Sequence, residues 1–297
     1  MSIRIGTRGS KLALLQTGIV AKKLADLGIG TEQVIIHTAG DATTQVPLHE
    51  IGGQGVFVRA LDDAILAGEI DCAVHSMKDI PAYRPSGLIT AAILKRDSAA
   101  DFIAYRGSLS AVKVVGTSST RRCAQLLRHD PSVTVRDLRG NVDTRIRKLG
   151  SGEYDAIILA EAGLTRMGIR IQGEQLPPEK FVPSPNQGTI AVVSRADPSL
   201  REVLSALDHP HTRTDVMIER AVMEQLGGGC FTPLGIYCRS GHLIAEVLSL
   251  DGTRGERIEM DVKTIDEARE HGRQLRARAQ GLIDEAYKQL GVAGGQS

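Results

Sequence analysis

Ile3-Arg4-Ile5-Gly6-Thr7-Arg8-Gly9-Ser10-Lys11-Leu12 stands at the start of the chain, and its reading decides the fold class. Ile3-Arg4-Ile5 predicts a short strand, and Gly6-Thr7-Arg8-Gly9 predicts a tight turn. Ser10 is then placed to cap a helix, because its hydroxyl can accept from a backbone N–H of the first turn. Leu12, Leu15, Ile19, Leu24 and Leu27 mostly keep helical spacing, and Gly28 is the expected terminator. Val34-Ile35-Ile36 reads as the next strand. Strand, turn, helix and strand in this order make an α/β unit rather than a bundle or a sandwich.

The same alternation continues outward. Gly52-Gly53-Gln54-Gly55 is too glycine-rich for regular structure and leads into a helix carrying Phe57, Leu61 and Ile65, stopped near Gly68. Cys72-Ala73-Val74-His75 is a strand running into Ser76-Met77-Lys78-Asp79-Ile80-Pro81. Pro81 biases Ile80 away from a helix, so Asp79 is expected in a loop at the strand's C-terminal end. A second α/β unit has strands at 102–105, 112–115, 133–138 and 156–159, with helices after Thr120, Val142 and Glu161. Pro183-Ser184-Pro185-Asn186-Gln187-Gly188 is punctuated like a hinge, and the strand at 190–193 can return to the first sheet. From Asp215 onward a helix, the Gly227-Gly228-Gly229-Cys230 loop, strands at 234–237 and 243–248, and a long helix from about Ile265 form a smaller α+β domain.

With 297 residues, 42% apolar and 24% charged, the chain is expected to fold as several water-soluble units. Its start lacks the apolar core of a signal peptide and no later apolar run is long enough to span a bilayer, so a cytoplasmic address without membrane attachment is expected. Cys72, Cys123, Cys230 and Cys238 have neither C-x-x-C spacing nor histidines at finger intervals, which predicts free thiols and no structural metal.

The formal net charge is only +1, but residues 121–148 carry eight cations against three acids, which predicts a local anion-binding surface. That stretch has no aromatic residue, and the whole chain is 3% aromatic without Trp, so stacking platforms for nucleic acid are scarce. Four times an arginine falls at or near the start of a helix that follows a strand: Arg8, the Arg121-Arg122 pair, Arg139 in Leu138-Arg139-Gly140-Asn141, and Arg166 in Glu161-Ala162-Gly163-Leu164-Thr165-Arg166. In an open α/β sheet such turns gather at the carboxyl ends of the strands, where helix N-termini favour anions. A ligand with several carboxylates or phosphates is expected.

Two segments give the chain a specific resemblance. Val74-His75-Ser76-Met77-Lys78-Asp79-Ile80-Pro81 is similar to the loop of porphobilinogen deaminases that holds the catalytic aspartate, and Gly228-Gly229-Cys230-Phe231-Thr232-Pro233-Leu234-Gly235 resembles their cofactor-cysteine segment. With Gly6-Thr7-Arg8-Gly9-Ser10, Gly116-Thr117-Ser118-Ser119, Leu138-Arg139-Gly140-Asn141 and Tyr154-Asp155-Ala156-Ile157-Ile158-Leu159-Ala160, the matches cover about residues 3–235 in order.

The resemblance implies an α/β fold with two doubly wound domains shaped like type II periplasmic binding proteins around a central cleft, plus a small C-terminal α+β domain. The divisions it implies are 1–96 with 189–212, then 97–188, then 213–297. It also implies a transferase of tetrapyrrole biosynthesis, a monomer. Four porphobilinogen molecules are joined head to tail, with loss of ammonia, on a dipyrromethane linked by a thioether to Cys230, and hydrolysis frees hydroxymethylbilane. Asp79 falls on the catalytic position, with Lys78 beside it. Arg8, Gln16, Lys78, Ser119, Arg121, Arg122, Arg139, Gly140, Arg145 and Arg166 fall on positions that bind the cofactor and the acetate and propionate arms.

The sequence departs from the family pattern at Gln54, where many members carry lysine, and at Asn186, where glycine is more usual; asparagine tolerates the left-handed conformation such a glycine would adopt. Arginines and helix starts alone fit a non-catalytic two-lobed anion-binding protein equally well, and a nucleic-acid binder using residues 121–148 is a third reading. The Cys230 loop and the C-terminal domain favour the enzyme over the first. Near-neutral total charge and missing aromatics count against the second.

Overall fold

The computed structural model describes residues 2–37, 56–82, 84–227 and 231–291. Cys230, Gln54 and the glycines beside them lie outside the described residues. Along the chain come β1 (Ser2–Thr7), α1 (Lys11–Asp26), β2 (Gly30–Ile35), α2 (Val56–Leu66), β3 (Cys72–Ser76) and β4 (Leu88–Ile93). The second series is β5 (Asp101–Tyr105), β6 (Val114–Gly116), α3 (Thr120–His129), β7 (Thr134–Arg136), α4 (Val142–Gly150), β8 (Ala156–Ala160), α5 (Glu161–Arg166) and β9 (Gly173–Leu176). The rest comprises β10 (Ile190–Arg195), α6 (Pro198–Ser205), α7 (Pro210–Leu226), β11 (Leu234–Arg239), β12 (His242–Leu248), β13 (Gly255–Asp261) and α8 (Ile265–Gln289).

By compactness the chain forms two units. The first, 1–97 with 166–168 and 188–213, is built on a sheet of order β2-β1-β3-β10-β4. The second, 98–165 with 169–187 and 214–297, holds a sheet of order β7-β6-β8-β5-β9 and the antiparallel sheet β11-β12-β13. The two five-stranded sheets share one topology. Three parallel strands in the order second, first, third are followed by an antiparallel strand, β10 in one sheet and β5 in the other, and then by an outer strand. The type II α/β class is therefore the fold, with a small β-rich C-terminal domain, and the strand at 190–193 does return to the first sheet.

Equivalent packing recurs at the first strand of each sheet. A Cβ on Gly6 would lie 2.2 Å from Ile70 Cδ1, and one on Gly116 would lie 2.7 Å from the Tyr154 ring. Each of these positions is glycine because a neighbouring side chain occupies the volume a Cβ would need. One core face of the first sheet joins Ile3, Ile5, Cys72, Val74 and Val192 to Val20 and Leu24 of α1 and Leu204 of α6. In the C-terminal domain α8 buries Ala268, Gly272, Leu275, Ala279, Leu282, Ile283 and Ala286, a helical stripe.

Several boundaries shift from expectation. The strand read at 112–115 begins at Val114, after a 3-10 turn at Leu109–Ala111, and that read at 133–138 shortens to Thr134–Arg136. β4, β9, β13 and α6 are additional to the elements expected from the sequence; α6 carries its own start signal, Asp197 Oδ1 accepting from Leu200 N at 3.0 Å with Pro198 in its first turn. Among the described residues no helix is long and apolar enough to cross a membrane.

Candidate active site

In the first unit the site grows from the ends of β1 and β3. β1 stops at Thr7, and Ser10 caps α1, its Oγ accepting from Ala13 N at 3.3 Å. Arg8 is half-buried between them. Gln16, buried on α1, donates from Nε2 to Ser76 Oγ at 2.9 Å and so ties α1 to the end of β3.

Asp79 follows the C-terminal end of β3, as expected, in a short ordered turn. Met77–Asp79 is a single 3-10 turn, with Ile80 N donating to Met77 O at 3.2 Å. Residues three apart eclipse in this geometry, so Met77 and Ile80 both point inward and are buried, leaving Lys78 half-buried and Asp79 exposed. Met77 N donates to Thr189 O at 2.9 Å, which sets the turn against the entry to β10. His75, just upstream, is buried; desolvation, with the Arg84 and Arg8 guanidinium groups, pushes its pKa down to about 3.

In the second unit the site lies at the ends of β6 and β7. Ser119 caps α3, its Oγ accepting from Arg122 N at 3.4 Å. Ser118 Oγ accepts from Leu138 N at 3.1 Å and binds the two turns together. Arg139 pairs through Nε with Asp137 Oδ2 at 2.8 Å and keeps 37% of its side chain exposed. Gly140 has φ +109°, and its carbonyl accepts from Arg145 Nε at 2.7 Å. Burial and the nearby Arg122 charge push the Arg145 guanidinium below its ordinary pKa, against the pull of Asp137.

Arg121 and Arg122 do not form the surface expected of residues 121–148. Both are buried on α3 and converge on Asp101, through Arg121 Nη1 to Oδ2 at 2.8 Å and Arg122 Nη2 to Oδ1 at 2.6 Å. Arg122 Nη1 also donates to Ile158 O, Arg121 Nη1 to Val182 O, and Gln187 Nε2 to Asp101 Oδ1. Burial alone would raise the Asp101 carboxyl; the two guanidinium groups and the Gln187 amide hold it well below the usual range. The physical reason is desolvation: an interior carboxylate on β5 needs cations more than a solvated face does.

Arg166 departs from expectation too. β8 runs straight into α5 with no intervening turn, so Arg166 lies in the last turn of that helix, not near its start. A cation is favourable there. Its Nε donates to Asp97 Oδ2 at 2.8 Å and its Nη2 to Gly188 O at 2.6 Å.

Arg8, Gln16, Lys78, Asp79 and Arg166 thus belong to the first unit, and Ser119, Arg121, Arg122, Arg139, Gly140 and Arg145 to the second. Asp101, Gln187, Asp97, His75 and Arg84 did not stand out in the sequence. Asp101 could have been flagged as a lone acid opening an apolar strand; the others carry no local signal. The left-handed conformation expected of Asn186 is observed, since its φ is +65°.

Two family models cover the chain. "Porphobilinogen deaminase, dipyromethane cofactor binding domain" matches residues 3–202, and "Porphobilinogen deaminase, C-terminal domain" matches residues 213–280. A curated relative from Methanosarcina acetivorans named "Probable porphobilinogen deaminase" is 50% identical over 302 residues, 96% of this chain and 95% of that one. One of the same name from Archaeoglobus fulgidus is 43% identical over 291 residues, 95% of this chain and 100% of that one. Among solved structures, the methionine-binding protein MetQ gives a TM-score of 0.41 at 13% identity, over 74% of this chain and 93% of that one. On the strength of the family models and these relatives, the chain belongs to the porphobilinogen deaminase family.

Proposed function

We propose that this chain has the activity its relatives are named for: a transferase that joins four porphobilinogen molecules head to tail, releasing ammonia, on a dipyrromethane held by a thioether to Cys230, and frees hydroxymethylbilane by hydrolysis. The observation that carries the reading is the surplus of guanidinium groups at the strand ends of the second sheet. Arg121 and Arg122 share Asp101, while Arg139 and Arg145 share Asp137, beside the N-termini of α3 and α4. Four guanidinium groups thus gather around two carboxylates, Asp101 and Asp137. Acidic arms would relieve that imbalance, each charged hydrogen bond contributing about 1.5–3 kcal/mol net.

The residues therefore fit an acidic primer, with Ser119, Arg122, Arg139, Gly140 and Arg145 as its holders and Arg121 bracing them through Asp101. Once bound, the dipyrromethane supplies a pyrrole carbon as nucleophile. Arg8, Gln16, Lys78 and Arg166 extend the cationic and amide set in the first unit. Asp79, on the outward side of its turn, accepts from pyrrole N–H groups and stabilises the positive charge that develops there; Lys78 orients an incoming carboxylate. A fixed carboxylate facing developing charge is worth more than one that must reorganise.

Burial raises the Cys72 thiol to about 12, and it also raises Cys123 and Cys238, so none of these three is a ready thiolate. This supports Cys230 as the anchor. A non-catalytic anion-binding role is not favoured, because relatives matching along nearly the whole chain carry an enzyme's name. Cytoplasmic location, a monomeric state and the three-part division stated above belong to the same proposal.

Intact-protein mass spectrometry of untreated protein tests the reading. The mass should exceed that of the polypeptide by two linked pyrrole units, and Cys230→Ser should abolish the excess. An adduct persisting in that variant would move the anchor elsewhere, and a bare polypeptide that consumes no porphobilinogen would sink the activity.

A further inference from the structure

Between α2 and the segment that follows Asp79 lies a buried ion pair to which the reading above gives no role in binding or chemistry. Asp62 projects from α2 with 4% of its side chain exposed, and Arg84 meets it with 10% exposed, its Nη2 donating to Asp62 Oδ1. Burial raises the Asp62 carboxyl above its ordinary range even with the guanidinium beside it. Arg84 Nε and Nη1 are buried and have no hydrogen-bond partner among the described residues. A pair so incompletely compensated adds little over an apolar pair of the same volume, although removing one partner strands a charge. Net stability is therefore a weak reason for its presence.

Its place in the chain supplies a stronger one. Upstream, the Met77–Asp79 turn is fixed by Met77 N to Thr189 O at 2.9 Å, by Gln16 Nε2 to Ser76 Oγ at 2.9 Å, and by burial of Met77 and Ile80. Downstream, no helix or strand intervenes among the described residues before β4 begins at Leu88. Arg84 lies in that irregular stretch and binds it back to α2, which packs on the first sheet beside β3. We propose that the Asp62–Arg84 pair is a positioning device for the Lys78–Asp79 turn, fixing the return path of the chain and with it the direction in which Asp79 is presented. Neither residue touches a reacting group. The inference rests on the role given to Asp79 above and deepens it.

The test replaces the pair by apolar residues of similar volume, Asp62→Leu with Arg84→Met. The double variant is expected to fold with a Tm within a few degrees of the parent. Amide hydrogen exchange over residues 78–82 should accelerate at least tenfold, and kcat for porphobilinogen should fall at least tenfold with KM within twofold. Unchanged exchange and unchanged kcat would overturn the proposal. The pair Asp62→Glu with Arg84→Lys, which keeps both charges but displaces their contact, is measured alongside it. It should fold, exchange faster over the same residues and lose about threefold in kcat at unchanged KM. Parental exchange and kcat there, with the apolar variant unfolded, would likewise overturn the proposal. Exchange is read without substrate. If the parent consumed no porphobilinogen while the apolar variant still exchanged faster, the functional reading would fall and the anchoring of the turn would stand.

Discussion

Asn186 shows how one residue can satisfy a backbone requirement and fail a polar one. At φ +65° it takes the conformation glycine adopts freely, and its N–H donates to Glu219 Oε2, whose Oε1 accepts from Cys238 N. Its side chain is 1% exposed, yet among the described residues neither Oδ1 nor Nδ2 has a hydrogen-bond partner. Relief of left-handed strain and of an unpaired buried amide is worth about 1–3 kcal/mol, offset by about 1 kcal/mol for glycine's freedom in the unfolded chain. Asn186→Gly should therefore raise stability by about 1 kcal/mol, measured as a higher Tm; a lower Tm would mean that the amide is satisfied by an internal water. His75 makes a second residue-scale prediction. Its folded pKa of about 3 lies below the ordinary 6.5, so between these values the unfolded chain binds a proton that the folded chain does not. This contribution is complete above about pH 6.5 and is lost as pH falls toward 3, so stability rises with pH there. The stability advantage of the parent over His75→Gln should shrink by up to about 1.4 kcal/mol per pH unit from pH 6 to 4. A difference independent of pH would contradict it.

At the scale of an element, the 3-10 turn at Met77–Asp79 decides what Asp79 can do. Burial of Met77 and Ile80, three residues apart, anchors the turn without help from the carboxylate. Asp79→Asn should accordingly leave the unfolding free energy within about 0.5 kcal/mol of the parent, as for an exposed substitution, while removing the negative charge that the chemistry needs. Turnover should fall at least about a hundredfold, equivalent to about 2.7 kcal/mol. Near-parental turnover in a well-folded variant would refute the role. The turn itself was only half legible: Pro81 marked the end of regular structure, but whether Lys78 or Asp79 faced outward depended on which neighbours β3 and β10 offered.

For the whole second unit, the docking of the C-terminal sheet on α3 matters most. Glu246 of β12 is buried between Arg128 of α3 at 3.6 Å and Arg257 of β13 at 3.7 Å. The turn between β12 and β13 comes so close that a Cβ on Gly252 would stand 2.1 Å from Ala124 O, at a φ of +73°. Gly252→Ala should destabilise by about 3 kcal/mol, from backbone strain together with overpacking against main-chain atoms that cannot move aside. Denaturant unfolding checks this: the midpoint should fall with the m-value unchanged, and an unaltered midpoint would show that the turn is not pressed onto α3.

What the sequence determined by itself is local: the strand–turn–helix units, the cap at Ser10, the left-handed tolerance at Asn186, and the clustering of arginines where strands give way to helices. These follow from forces acting over a few residues, hydroxyl to first-turn N–H or side-chain period to buried face. Tertiary structure alone decided which arginines are braced inside and which stay at the surface. Arg122 meets Asp101 across 21 positions and Arg166 meets Asp97 across 69. A buried charge takes its partner from whatever the sheet order brings near, and desolvation, which makes that partner obligatory, exists only once the sheet has closed around it.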